Sequence, residues 1–189
     1  MPAVAPIGNG ILVKVGTTNG DGNTGADSLI TTLWTKQYYF SALDATYTSY
    51  GLSYTDFNWG SGAPGGPSDG SKLGVNNCPI DSFGVIWDAT LIVPTTGTYT
   101  FTGNGDDGVR VSIYDPGTAT WTKLFSHNTN ANPQTGSMAL TAGVIYKYEQ
   151  QFTENGGGAN GNFRWTPPGG GSQVMPQTVF YYGYDAYGL

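Results

Sequence analysis

Positive charge is scarce in this chain. Seven of its 189 residues are Lys or Arg and one is His, and the formal net charge is −6. No basic cluster exists, so binding to nucleic acid through its phosphates is not expected, and neither is adsorption on an anionic membrane. Cysteine is nearly absent. The single Cys78 excludes an internal disulfide framework, and beside Pro79 with no basic neighbour it is not a reactive thiolate. His127 stands alone, without a His, Cys or paired acid at ligand spacing, which supports neither zinc nor a catalytic triad. No stretch is long and apolar enough to span a bilayer. Met1-Pro2 is followed by neither a basic region nor a long apolar run, so no signal peptide is expected.

What the chain has in abundance is turn and strand chemistry. There are 30 Gly, 11 Pro and 13 Tyr, with many Thr, Ser and Asn, and 38% of residues are apolar. Gly and Pro disfavour helices, whereas Thr, Tyr and Val suit strands joined by tight turns. Thr98 to Thr102 alternates Thr with Tyr or Phe, and Val109, Val111 and Ile113 alternate with Arg110, Ser112 and Tyr114. Trp121 to Phe125 is expected to pair back on the latter as a hairpin. Tyr146, Tyr148, Gln150 and Phe152 share one face of a long strand, and Asn162 to Trp165 is a strand stopped by Pro167-Pro168. Ser82 to Asp88, Thr90 to Val93 and Val179 to Tyr182 also read as strands. Many short strands with turns about every ten residues indicate an all-β, antiparallel sandwich or barrel.

The organisation reads in three parts. Residues 1–30 form an arm or linker containing a short strand, Ile11 to Val15. Residues 31–180 form the sandwich. Residues 181–189 form an aromatic tail, where Tyr184 and Tyr187 favour a partner surface. Ser61 to Asn77 is a long Gly/Pro/Ser/Asn loop, a kind that is often functional.

Acid is scarce too, at 13 residues, yet Gly105-Asp106-Asp107-Gly108 places two carboxylates side by side between two strands. Adjacent aspartates repel. A hard cation with oxygen ligands relieves that repulsion, which points to calcium. A glycosidase pair is not expected, because adjacent residues point apart and such chemistry needs two carboxyls about 5–9.5 Å from one another across the bond.

Thr95 to Phe101 followed by Gly105-Asp106-Asp107-Gly108-Val109-Arg110-Val111 resembles the central signature of the protective-antigen domain family. That sandwich is named for the anthrax toxin component and recurs in flocculins and other adhesins. Leu140 to Tyr146, Phe152 to Ala159 and Phe163 to Pro167 resemble its later blocks. Tyr38-Tyr39, Asp56 to Gly60 and Phe83 to Trp87 fit its opening strands. The resemblance implies a jelly-roll-like sandwich with N- and C-terminal extensions. It also implies a cis peptide bond between Asp106 and Asp107, both binding one calcium that takes two sugar hydroxyls. Flocculins add an Asn and two backbone carbonyls. The matching positions here are Glu154, with the carbonyls of Gly156 and Gly158, while Asn155 lies one place later as the other candidate ligand.

Trp59, Trp87, Trp121 and Trp165 are candidates for stacking on sugar. Trp87 and Trp165 lie in strands and read as core, whereas Trp121 follows a Pro-Gly turn and joins Asp106, Asp107 and Asn155 as a ligand-binding candidate. The resulting expectation is a calcium-dependent, lectin-like module that binds a cell-surface glycan and breaks no bond, on the outside of a cell or particle. The alternative is a structural or decorating protein of a virion or fibre, assembling through its N-terminal arm and aromatic tail.

Overall fold

The computed structural model describes residues 8–18, 30–41, 54–62, 64, 80–127 and 133–182. It is almost wholly β. The strands are β1 (Gly8–Thr18), β2 (Ile30–Ser41), β3 (Asp56–Gly60), β4 (Phe83–Leu91), β5 (Gly97–Asp106), β6 (Gly108–Asp115), β7 (Thr120–His127), β8 (Gln134–Leu140), β9 (Tyr146–Glu154), β10 (Ala159–Thr166) and β11 (Phe180–Tyr182). A single 3-10 turn, Gln177–Val179, leads into β11.

Two antiparallel sheets form. The larger has the order β2-β1-β11-β4-β9-β6-β7, with β1 also pairing β4, and the smaller has the order β3-β10-β5-β8. Alternation decides which face of each strand is buried. Along β5, Tyr99 and Phe101 point inward and Thr98, Thr100 and Thr102 outward. Along β10 the inward set includes Phe163 and Trp165. From the other sheet come Val85 and Trp87 of β4, Val109, Val111 and Ile113 of β6, and Tyr148 and Phe152 of β9. Rings meet between the sheets, with Phe57 edge-on to Phe152 at 4.8 Å and Trp87 tilted against Phe163 at 6.4 Å. Gly161 makes room for this contact layer, since a Cβ there would come within 2.6 Å of the Phe57 ring.

The antiparallel sandwich is as the sequence indicates, with differences in extent. Ser82 to Asp88 and Thr90 to Val93 are not two strands, because β4 runs unbroken to Leu91. The expected β6–β7 hairpin is present, with Tyr114 opposite Trp121. The boundary drawn at residue 30 is corrected: β1 pairs along its length with β2 and β4 inside the larger sheet, so residues 8–18 belong to the sandwich rather than to a free arm. The boundary at 181 moves similarly, because Tyr181 pairs with Thr90 of β4. The rest of the N-terminal arm, residues 65–79 of the long loop, Cys78 and the tail from 183 onward lie outside the described residues. Among the described residues no helix is long and apolar enough to cross a membrane.

Candidate metal and glycan site

Two crossings between the sheets lie side by side at one end of the sandwich. In the first, the chain leaves the smaller sheet at Asp106, the last residue of β5, and enters the larger at Gly108 of β6. The loop expected after Thr102 is therefore a single bend at Asp107. In the second, the chain leaves the larger sheet at Glu154, the last residue of β9, and enters the smaller at Ala159 of β10. Register brings the crossings together: Asn160 lies opposite Asp106, and Gly108 opposite Thr153. Gly105 permits the tight first crossing, since a Cβ there would come within 2.5 Å of the Val109 side chain.

The peptide bond between Asp106 and Asp107 is cis, as the resemblance implies. The backbone of Asp107 is held to the second crossing, its N–H donating to the Thr153 carbonyl at 3.2 Å. Its carboxylate turns the same way. Oδ2 accepts the Asn155 N–H at 2.6 Å and the Gly156 N–H at 3.4 Å. These two donors orient the Asp107 carboxylate.

Glu154 is fully buried, and neither of its carboxylate oxygens has a hydrogen-bond partner. An unpaired buried carboxylate is costly, by several kcal/mol after relaxation. Burial first, then the charges of Asp107, Asp106 and Asp81, push its pKa up to about 7, while the Gly156 N–H, outside hydrogen-bonding geometry, pulls it the other way. Burial and the neighbouring Asp107 also raise Asp106 above its ordinary value. The Oδ1 of Asn155 is likewise buried without a partner. Gly158 sits beside Asp106, where a Cβ would stand 3.9 Å from Oδ2. The structure thus brings Asp106, Asp107, Glu154, Asn155, Gly156 and Gly158 to one place.

Sequence reasoning missed Asp81. It precedes β4, whose first residue, Phe83, pairs with Glu154, and its Oδ1 would lie 3.8 Å from a Cβ on Gly156. The signal was available in an acid standing directly before the strand read from Ser82 in an acid-poor chain, but only the sheet register places that strand's start beside Glu154.

The donor set suits a hard cation. It consists of carboxylate and amide oxygens, with no sulfur or imidazole among the side chains gathered here. Among the described residues no group of three or more His, Cys, Asp or Glu is placed to hold a metal ion on such side chains alone.

A family model described as the PA14 domain matches residues 69–178, more than half of the chain. The chain belongs to the PA14 domain family. This is the protective-antigen type of domain that its motifs resemble. Solved PA14-like structures share its fold at low identity. The PA14 sugar-binding domain from an RTX adhesin is 17% identical with a TM-score of 0.54, the match covering 93% of this chain and 99% of that one. The A domain of epithelial adhesin 6 from Candida glabrata, solved in complex with Galβ1-3GlcNAc, is 13% identical with a TM-score of 0.58, covering 99% and 92%. An anti-sigma factor domain-containing protein from Clostridium clariflavum is 21% identical with a TM-score of 0.61, but this chain spans only 51% of its length against 96% of its own. None of the curated proteins matches the chain.

Within the PA14 fold the tryptophans separate. Trp87 and Trp165 are buried in the core, as expected. Trp59 stacks on Phe57 at 4.3 Å and packs edge-on to Phe152 at 5.5 Å, which makes it a core-side ring too. Trp121 is exposed, but the structure does not bring it to the aspartates. It pairs with Tyr114, seven residues beyond Asp107 along β6, roughly 23 Å away at about 3.3 Å per residue.

Proposed function

We propose that this PA14 domain is a calcium-dependent glycan-binding module. The observation that carries the reading is the convergence of Asp106, Asp107 and Glu154 beside Asn155, with the oxygens of Glu154 buried and unpaired. Asp107 raises the proton affinity of Asp106, both raise that of Glu154, and no cationic side chain is among the groups acting on these two, so a cation there would relieve the repulsion. Asp106 and Asp107 would hold the ion from one crossing. Glu154 or Asn155, with the carbonyls of Gly156 and Gly158, would hold it from the other. Bound calcium would supply open coordination positions that two neighbouring sugar hydroxyls can fill.

The chain's own residues supply the rest. The Asn155 and Gly156 N–H groups fix the Asp107 carboxylate, and the paired ladders on both sides hold the two crossings in register, so little order is lost on binding. In this reading the site binds and breaks no bond. The sugar-binding domain of the RTX adhesin and the Galβ1-3GlcNAc complex of the Candida glabrata adhesin support a glycan as the ligand and a surface-exposed setting as the location.

Calorimetric titration with calcium tests the metal. Saturable heat from the intact chain, absent after chelation, is expected, and a flat trace from intact protein would overturn the reading. A glycan array probed with calcium and with chelator tests the sugar. Binding that survives chelator unchanged would rule out a sugar held through calcium.

A further inference from the structure

We infer that the opposite end of the β6–β7 hairpin carries a second carbohydrate contact, an aromatic platform that needs no metal. Among the described residues Trp121 is one of three large apolar side chains left exposed, at 43% of its surface. It does not stand alone. Its cross-strand partner Tyr114 lies 5.7 Å away, the two rings tilted by 58°. The Lys147 ammonium sits 5.9 Å over the Tyr114 ring, placed there because Lys147 is opposite Tyr114 on β9. Trp121, Tyr114 and Lys147 thus form one row across the outer face of the larger sheet. The next row along the same face is Lys123, Ser112 and Glu149.

That arrangement fits a sugar ring. One face of a pyranose is a sheet of C–H groups, weakly positive, which lies well against the negative face of an aromatic ring. Its hydroxyls project around the edge and need donors and acceptors. Lys147, over the Tyr114 ring, and Lys123 and Glu149 in the next row beside the exposed Trp121 would provide both. The scale also selects the ligand. Two partly covered aromatic side chains offer less than the roughly 150–250 Å² each that such a ring can bury, against about 800 Å² per partner in a standard protein interface. The patch covers one or two sugar units and is too small for a protein partner. The chain's net charge of −6 disfavours a phosphate-bearing ligand, so a stacked nucleotide is the poorer fit.

The ligand class rests on the glycan reading above, but the site does not share residues with it. A chain of several sugars reaching from one end to the other, or two branches of one glycan, would engage both and gain from the second attachment being intramolecular.

The test uses the full chain, labelled with ¹⁵N and kept in EDTA so that no calcium is bound. Lactose, chitobiose and maltose are titrated in separate series. The indole N–H signal of Trp121, identified by its disappearance in Trp121→Phe, should move saturably with at least one sugar. Tyr114→Leu should weaken that binding by about 2- to 10-fold, the value of one aromatic pairing, while far-ultraviolet dichroism confirms that the variant is folded. A Trp121 signal that stays still with all three sugars overturns the inference. So does a shift that Tyr114→Leu leaves unchanged in affinity. A flat calcium titration together with a moving indole retires the metal reading and keeps this one; calcium heat with a still indole does the reverse.

Discussion

Strands β6 and β9 run side by side, and their two ends solve opposite problems. At the Asp107–Glu154 end, a buried carboxyl without a hydrogen-bond partner stands against two further acids. At the Tyr114–Lys147 end, an aromatic pair faces solvent with a cation laid over it. The same ladder positions both sets, since Gly108 is opposite Thr153 and Tyr114 opposite Lys147. A rigid central sheet can therefore carry two unrelated surfaces about a strand's length apart. What differs is burial. A carboxylate hidden from water calls for a cation, and an aromatic ring left in water calls for an apolar face.

The comparison breaks most completely if the shared scaffold is removed. Trp87 is fully buried beneath both ends, stacked on Phe57 at 5.6 Å. Trp87→Ala should cost about 3–5 kcal/mol of stability in chemical denaturation. It should also weaken calcium heat and sugar shifts together. Loss at one end only would show that the ends do not depend on a common core.

The next effect separates them by charge. In metal-free protein Glu154 holds its proton up to about pH 7, above its unfolded value of 4.5. The native state thus binds that proton more tightly than the unfolded state. This group's contribution to stability is full below about pH 4.5, falls as pH rises through 7, and is level above, with a total loss of up to about 3 kcal/mol. Glu154→Gln should remove this loss, so in EDTA the variant gains on the wild type at pH 8 and matches it near pH 4. Parallel denaturation midpoints at both pH values would mean that the carboxylate is compensated in some other way. With calcium present the order at pH 8 should reverse, because the wild type keeps a ligand that the variant has lost.

A smaller effect sharpens the acidic end alone. Asp107→Asn removes one charge and weakens the acceptor of two backbone N–H groups. Calcium affinity should fall at least about 10- to 100-fold, the loss that outer-shell changes alone produce. Unchanged heat would take Asp107 out of the metal shell. The smallest effect lies on neither end. Arg164 and Asp56 pair at 2.7 Å on the outer face of the smaller sheet, with the aspartate side chain 54% exposed. Asp56→Ala should change stability by no more than about 1 kcal/mol and leave both ligands alone. A larger cost would show that this exposed pair braces β3 against β10.

Much of the fold is legible along the chain. The alternation in Thr98–Thr102, Val109–Ile113 and Tyr146–Phe152 follows from the period of a strand, which puts every second side chain in the core. Chain turns such as Asp115-Pro116-Gly117 also announce themselves. The Asp106-Asp107 pair stands out because acid is rare and glycine flanks it. Less legible was where strands end. Thr102 looked like the end of β5, yet pairing with β10 carries the strand to Asp106, since backbone partners extend a strand past its hydrophobic residues. Asp81 and the place of β1 were hidden for the same reason.

By itself the sequence determined an antiparallel β protein of the PA14 type and the two aspartates most apt to hold a hard cation, because strand period, turn chemistry and paired charge are local properties. Only the tertiary structure decided that Glu154 is buried among those aspartates and that Trp121 is not near them. Both depend on register between strands distant in sequence. Strand register sets which side chains share a row and which lie a strand's length apart, and it is fixed by packing across the whole sandwich.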